Sequence, residues 1–189
     1  MHLVIFDLET TGYSPRYHEI IQIAAVRMRH GAILAHEHFA TFVRPRGRIP
    51  QPITGLTGIT EDDVRDAPEP AACLAAFSRF AGDATLVAHN GHRFGIPFLR
   101  HHTSVHGLPA REVSYIDSME LSRRLWPKAA SHNLDSVIER LGLSTAGLNR
   151  HDARDDVRLL AEAVRKMWQR LGMATDRAPV PTNIGHLPR

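Results

Sequence analysis

The sequence contains little cysteine and no long apolar run. Its one cysteine, Cys73, cannot form an internal disulfide, and it excludes a zinc site built from several cysteines. No apolar run approaches the roughly 18 residues that indicate a membrane-spanning helix. The residues after Met1 lead directly into a strand that carries acids, which is not the pattern of an export signal. We therefore expect a cytoplasmic protein with no membrane partner.

Aromatic residues are few, and neither sign of charge dominates. The 189 residues include 23 Lys and Arg against 20 Asp and Glu, a formal net charge of +3, and 6% are aromatic. The hydrophobic fraction of 43% is typical of compact globular proteins and excludes disordered or collagen-like chains. This charge balance allows a nucleic-acid partner but does not identify one.

The order of apolar runs and turn residues predicts an α/β fold in which helices cover a mixed sheet. Three strands are predicted first, a loop rich in proline and glycine spans 44–70, and helices then alternate with strands up to a last helix over about 153–171. We expect residues 1–172 to form one domain. Residues 173–189 contain three prolines and little apolar periodicity, which predicts a mobile tail or linker.

Two acidic residues lie at the end of the first predicted strand. Asp7 and Glu9 are two positions apart, so both side chains point to the same face of the sheet. Adjacent carboxylates repel each other unless a cation joins them. An isolated pair of this kind is more often a solvated strand end, and the pair alone leaves both interpretations open.

A third acid and a histidine near the last helix extend this group. Asp156 lies near the predicted helix start and His151 in the loop before it. By itself, such an acid most often complements the helix dipole. Together with Asp7 and Glu9, it supplies the hard oxygen ligands that Mg²⁺ or Mn²⁺ prefers, and a neutral His151 could accept a proton from water. This combination is typical of two-metal phosphoryl hydrolysis.

Four segments of the sequence together resemble the DEDDh 3′-to-5′ exonucleases, a family that includes the proofreading epsilon subunit of bacterial DNA polymerase III and ribonuclease T. The segments are residues 6–12 (FDLETTG), 53–60 (ITGLTGIT), 87–90 (VAHN), and His151 followed by Asp156. Their order and spacing resemble the family from about residue 3 to residue 168. Four motifs in register are far more specific than any one of them.

The resemblance implies a ribonuclease-H-like fold with a mixed five-stranded sheet flanked by helices. It also implies a site for two divalent ions, Mg²⁺ or Mn²⁺, and hydrolysis of phosphodiester bonds at the 3′ ends of single-stranded DNA or RNA. In this family's pattern, Asp7, Glu9 and Asp156 would bind the metal. His151 would be the general base.

The same resemblance implies a cleft that holds the terminal nucleotide. The matching positions are Thr10, Leu56, His89, Asn90 and Phe94. For Phe94, packing in the core beneath its helix is an equally open role.

One position departs from the family's pattern. The family reads Ala-His-Asn-x-x-x-Phe-Asp after the strand, whereas this chain has Gly95 in place of the aspartate. An introduced substitution and a native glycine are both consistent with the sequence. The missing carboxylate predicts a weakened metal site and impaired activity. The alternative is a catalytically inactive module, derived from a nuclease, that binds nucleic acid or protein. Asp117 could approach the metal, but it is more simply the N-cap of the next helix.

Two further features concern partners. Arg44, Arg46 and Arg48 flank the loop that borders the cleft in the family, so they are candidates for guiding a nucleic-acid strand, although a solvated loop is equally consistent. The segment 173–189 could hold the chain in a larger complex, a prediction that rests on analogy alone.

Overall fold

A computed structural model describes residues 1–172 and 182–189 as a sheet covered by helices. The strands are β1 (His2–Thr10), β2 (Ile20–Arg29), β3 (Ala32–Phe42), β4 (Thr85–Ala88), β5 (Ala110–Asp117) and β6 (Asn183–Pro188). The helices are α1 (Gln51–Thr57), α2 (Glu61–Arg65), α3 (Pro70–Ala81), α4 (Gly95–Val105), α5 (Ser118–Leu125), α6 (Leu134–Leu141) and α7 (Ala153–Arg170). The mixed sheet flanked by helices is as predicted, but the prediction of five strands is wrong because the sheet has six.

The strand order is β3-β2-β1-β4-β5-β6. The first three strands are antiparallel neighbours, whereas β4 and β5 run parallel to β1. Since parallel strands end at the same edge, the carboxyl ends of β1, β4 and β5 lie side by side. This edge is where ligands collect in α/β sheets.

The two faces of β1 enter different cores. Val4, Phe6 and Leu8 pack in the core that includes α3 and α4. Leu3 and Ile5 pack in the core that includes α5, α6 and α7. Because side chains alternate along a strand, the odd-numbered acids that follow on β1 face α7 rather than α4.

The predicted loop over 44–70 contains two short helices, α1 and α2. Pro52 lies in the first turn of α1, where its missing N–H costs nothing. Thr60 caps α2 in a capping box with Asp63. Some of the prolines and glycines that predict a loop therefore lie at helix ends, as Pro52, Gly58 and Pro70 do.

The predicted mobile tail is wrong for its last part. Residues 183–188 form β6, which pairs antiparallel with β5 from Ala110 to Tyr115. Leu187 is buried in the first core, and the Ser78 hydroxyl donates a hydrogen bond to the Pro188 carbonyl. β6 is an edge strand, and an edge tolerates proline because one side of the strand needs no N–H donors. Residues 173–181 of the predicted tail lie outside the described residues.

Across residues 1–172 and 182–189, no helix is both long and apolar enough to cross a membrane.

Candidate metal centre and active site

Three carboxylates converge at the carboxyl end of β1. Asp7 and Glu9 extend from β1, and Asp156 from the first turn of α7. One oxygen from each side chain lies within 4.8 Å of the others. A set of carboxylate oxygens fits Mg²⁺ or Mn²⁺, which prefer hard oxygen ligands. The structure thus brings together the three residues predicted as metal ligands.

A buried pair of side chains sets the position of Asp156. The Gln22 amide on β2 donates to Asp152 Oδ1 (3.2 Å) and accepts from the Ala153 N–H (2.8 Å). Asp152 also caps α7 by accepting from the Arg154 N–H (2.9 Å). These bonds fasten the start of α7 to the middle of the sheet, so the first turn of the helix delivers Asp156 to the acids of β1.

Burial and mutual repulsion act on the two strand acids. Burial raises the pKa of Asp7 to about 6, although the Leu8 backbone and the Arg150 charge oppose this shift. Burial, with the neighbouring Asp7 and Asp152 charges, raises the pKa of Glu9 to about 9. The cluster is therefore unfavourable as a set of bare charges, and a bound cation would relieve it.

Arg150 already brings one positive charge to this cluster. Its guanidinium forms an ion pair with Asp156 and donates from Nε (3.0 Å) and Nη2 (2.6 Å) to Asp135 Oδ1. Its charge lowers the pKa of both Asp7 and Glu9, against the effect of burial. The sequence motifs do not single out Arg150. Its position next to His151, one residue from a predicted site residue, was the available signal.

His151 is held beside the acids by its backbone. Its N–H donates to Asp156 Oδ2 (3.2 Å), and its φ of 64° is in the left-handed region. Non-glycine residues adopt this conformation infrequently, at a cost of about 1–3 kcal/mol when the surroundings impose it. The loop that carries His151 is therefore shaped by its bond to the third carboxylate.

The turn after β4 carries His89 and Asn90. His89 Nδ1 lies 2.8 Å from Ser118 Oγ, and burial lowers its pKa to about 4, so its imidazole is neutral at pH 7. Asn90 has a φ of 57° in this turn. Both residues follow the carboxyl end of β4, next to the end of β1 that carries the acids.

The other predicted cleft residues have different surroundings. Thr10 is buried, and its hydroxyl donates to the Gly12 carbonyl (2.7 Å), which stabilises the turn after β1. Leu56 is exposed on α1. Phe94 is partly buried against the core, with its ring centroid 4.9 Å from that of Phe98. Core packing therefore accounts for part of the Phe94 side chain.

Asp117 caps its helix, as the sequence predicts. Its Oδ1 accepts from the Met119 N–H (3.0 Å) and its Oδ2 from the His92 N–H (3.1 Å). Both carboxylate oxygens thus bind backbone. Within residues 1–172 and 182–189, Asp117 is not part of the carboxylate cluster.

Gly95 begins α4 directly against β1. A Cβ atom at this position would lie 3.1 Å from Cε2 and Cζ of Phe6, and 3.5 Å from the Cβ of Ala88. The Phe6 ring therefore occupies much of the room that a side chain at position 95 would need. Any larger residue requires the ring to shift by a few tenths of an ångström.

The arginines of the 44–48 segment are exposed. Arg44 pairs with Glu69, and the Glu19 carboxylate accepts from the backbone N–H groups of Arg46 and Gly47. Arg48 is exposed.

Comparison with solved structures confirms the ribonuclease-H-like exonuclease fold. Exonuclease X, solved in complex with 5′-overhanging duplex DNA, is 26% identical with a TM-score of 0.74, and the match covers 92% of this chain and 95% of that chain. The nuclease domain of 3′hExo, a DEDDh family member solved bound to rAMP, is 20% identical with a TM-score of 0.77 over 96% of both chains. At 20% identity, the second comparison shows the fold alone.

Sequence relatives and a family model agree with the fold. DNA polymerase III PolC-type is 35% identical over 179 residues in Clostridium perfringens and 39% identical over 168 residues in Caldanaerobacter subterraneus. These matches cover 95% and 89% of this chain, which spans 12% of the length of either relative. The RNase_T exonuclease model matches residues 4–164, so the chain belongs to the RNase_T exonuclease family.

Proposed function

We propose that this chain is a metal-dependent 3′-to-5′ exonuclease of the DEDDh type, which hydrolyses phosphodiester bonds at the 3′ ends of single-stranded DNA or RNA. The observation that carries this proposal is the convergence of Asp7, Glu9 and Asp156 within 4.8 Å at the carboxyl edge of the sheet. Membership of an exonuclease family and the complex of Exonuclease X with DNA support it.

The three carboxylates would hold Mg²⁺ or Mn²⁺, which when bound activates water and stabilises charge on the phosphate. His151 is our candidate for the group that accepts the proton of the attacking water. The bond from its backbone to Asp156 keeps its loop beside the carboxylates. Its left-handed backbone is consistent with strain retained at a functional position.

The nucleic acid would lie along the same edge of the sheet. Exposed Leu56 would offer an apolar surface to the terminal base. Thr10 ends β1, and His89, Asn90 and Phe94 lie in the segment between β4 and α4. The low pKa of His89 keeps it neutral, so we expect this residue to contact a base or sugar rather than to neutralise a phosphate. Arg44, Arg46 and Arg48 would guide the strand by charge.

Gly95 favours a second candidate function. Without a carboxylate at this position, the activity of the chain is expected to be impaired, and a complete loss would leave a module that binds nucleic acid without cutting it. The observation that favours this alternative is that Gly95, which packs against the Phe6 ring, brings no carboxylate to the start of α4.

Degradation of end-labelled oligonucleotides distinguishes the two functions. Single-stranded DNA and RNA, labelled at the 3′ or the 5′ end, would be incubated with the protein and Mg²⁺ or Mn²⁺. Stepwise shortening from the 3′ end that stops with EDTA would support the exonuclease. Binding without shortening, also with Asp restored at position 95, would support the binding module and contradict the exonuclease.

A further inference from the structure

We propose that Arg150 acts as a built-in cation of the carboxylate cluster, so that this site binds one divalent ion tightly instead of two. The inference rests on the proposed function, because the ion concerned is the one that would serve hydrolysis. It extends that function by assigning a role to a residue of this chain's own sequence and by limiting the number of ions at the site.

Two acids on the neighbouring helices α6 and α7 hold the guanidinium of Arg150. Asp156, in the first turn of α7, contacts Nη1, while Asp135, in the first turn of α6, accepts from Nε and Nη2. The Arg150 side chain is 23% exposed and that of Asp156 is 6% exposed. A planar guanidinium held by several hydrogen bonds keeps its position better than a surface side chain held by one. Arg150 is therefore a fixed charge of the site.

The charges of the site match one divalent ion. A bound cation favours the ionised form of its ligands. With all three carboxylates ionised, the carboxylates and the guanidinium together have a formal charge of minus two, which a single divalent cation neutralises. A second divalent ion would leave two excess positive charges among half-buried groups, and uncompensated charge away from water is costly. Asp135 compensates little of this excess because its side chain is 65% exposed to solvent.

The number of oxygen ligands at the site also favours a single divalent ion. Gly95 carries no ligand, and the Phe6 ring packs 3.1 Å from where a Cβ atom at this position would lie. Both oxygens of Asp117 already accept backbone N–H groups. Within the described residues, three carboxylates at this edge lie close enough together to share an ion, and one of them also pairs with Arg150. A second ion would have to rely mostly on water.

Titration of the full chain with Mn²⁺, followed by the electron paramagnetic resonance signal of free Mn²⁺, tests the inference without nucleic acid. We expect one tight Mn²⁺ per chain in the unaltered protein. Arg150→Gln should admit a second Mn²⁺ or bind the first about tenfold more tightly, a change of about 1.4 kcal/mol. Asp135→Asn leaves Arg150 paired with Asp156 alone and removes a negative charge beside it, so this variant should bind Mn²⁺ more weakly, by a smaller factor. Arg165→Gln removes an arginine that pairs with Glu162 elsewhere on α7 and should leave binding unchanged.

Two results would overturn the inference: two Mn²⁺ of similar affinity in the unaltered chain, or identical binding by the unaltered, Arg150→Gln and Asp135→Asn proteins. Circular dichroism checks that each variant is folded, and Asp135→Asn decides the matter if Arg150→Gln is not. The oligonucleotide assay separates this inference from the proposed function. Two tight ions together with 3′ shortening would refute only the role of Arg150, whereas the expected Mn²⁺ pattern without any shortening would refute only the exonuclease. No Mn²⁺ binding by any variant would refute both.

Discussion

His151 shows how much a single residue depends on its backbone. Before it in sequence, Arg150 forms an ion pair with Asp156, and after it, Asp152 caps the start of α7. The His151 N–H itself donates to Asp156. A substitution that tests the imidazole must therefore keep the left-handed conformation. Asparagine does so better than alanine, because its short polar side chain tolerates this region.

His151→Asn should slow the shortening of a 3′ end by about 100-fold, because loss of a general base typically costs two to four orders of magnitude. Binding of Mn²⁺ should stay unchanged, since the carboxylates and their backbone partner remain. Single-turnover rates and Mn²⁺ titration measure the two effects. His36→Asn, at a solvent-exposed position on β3, is the control. Equal rates for both variants would remove His151 from the proposed role.

Gly95→Asp should combine a gain in activity with a loss in stability. The new carboxylate adds a metal ligand, but its Cβ lies 3.1 Å from the Phe6 ring, and crowding of a packed core costs about 1–3 kcal/mol. Gly95→Ala introduces the same contact without the charge and is the matched control. Hydrolysis rates and urea unfolding of the three proteins measure both effects. If Gly95→Asp hydrolyses no faster than Gly95→Ala, the missing carboxylate does not limit activity.

At the scale of elements, β6 is where sequence prediction and structure differ most. Its six residues include a glycine and a proline, which weaken any strand pattern. Gly185 is needed because a Cβ there would lie 3.0 Å from Cγ2 of Ile96 on α4. What makes this segment a strand is the free edge of β5 and the apolar site for Leu187, neither of which is visible from residues 183–188 alone.

Leu187→Ala should lower the free energy of unfolding by about 2–4 kcal/mol, the usual cost of truncating a buried leucine. Ile184→Ala on the same strand should change it by less than about 0.5 kcal/mol, because Ile184 is exposed. Urea unfolding followed by circular dichroism gives both values. Equal, small effects would show that β6 does not dock on the sheet in solution.

At the scale of the whole molecule, stability should depend on pH through the carboxylate cluster. The pKa of Glu9 is raised from 4.5 to about 9, so between these values the folded protein keeps a proton that the unfolded chain has lost. Stability therefore falls as pH rises through this window. The histidines with lowered pKa values, such as His89, act in the opposite direction only below neutral pH.

Without metal, the melting temperature should fall as the pH rises from about 7 to about 8.5. For one group, the free energy of unfolding decreases by at most about 1.4 kcal/mol per pH unit. Saturating Mn²⁺ should flatten or reverse this slope, because a bound cation favours ionised ligands. Thermal unfolding in EDTA and in Mn²⁺ measures both slopes. In EDTA, the melting temperature of Glu9→Gln should not change with pH over this range. A slope equal to that of the unaltered protein would assign the pH dependence to other groups.

The sequence by itself determined the features that depend on local spacing. The period of two along β1 put Asp7 and Glu9 on one face, and the apolar stripe of the last helix predicted its bounds closely. The cap at Asp117 was also predicted, because it binds a backbone N–H two residues away.

Only the tertiary structure decided the contacts between distant segments. The Gln22–Asp152 bond joins residues 130 positions apart, Arg150 reaches across to α6, and Phe6 fills the space beside Gly95. β6 likewise depends on the edge that β5 leaves open. These features follow from how complete elements pack in three dimensions, which the spacing of residues within one segment does not encode.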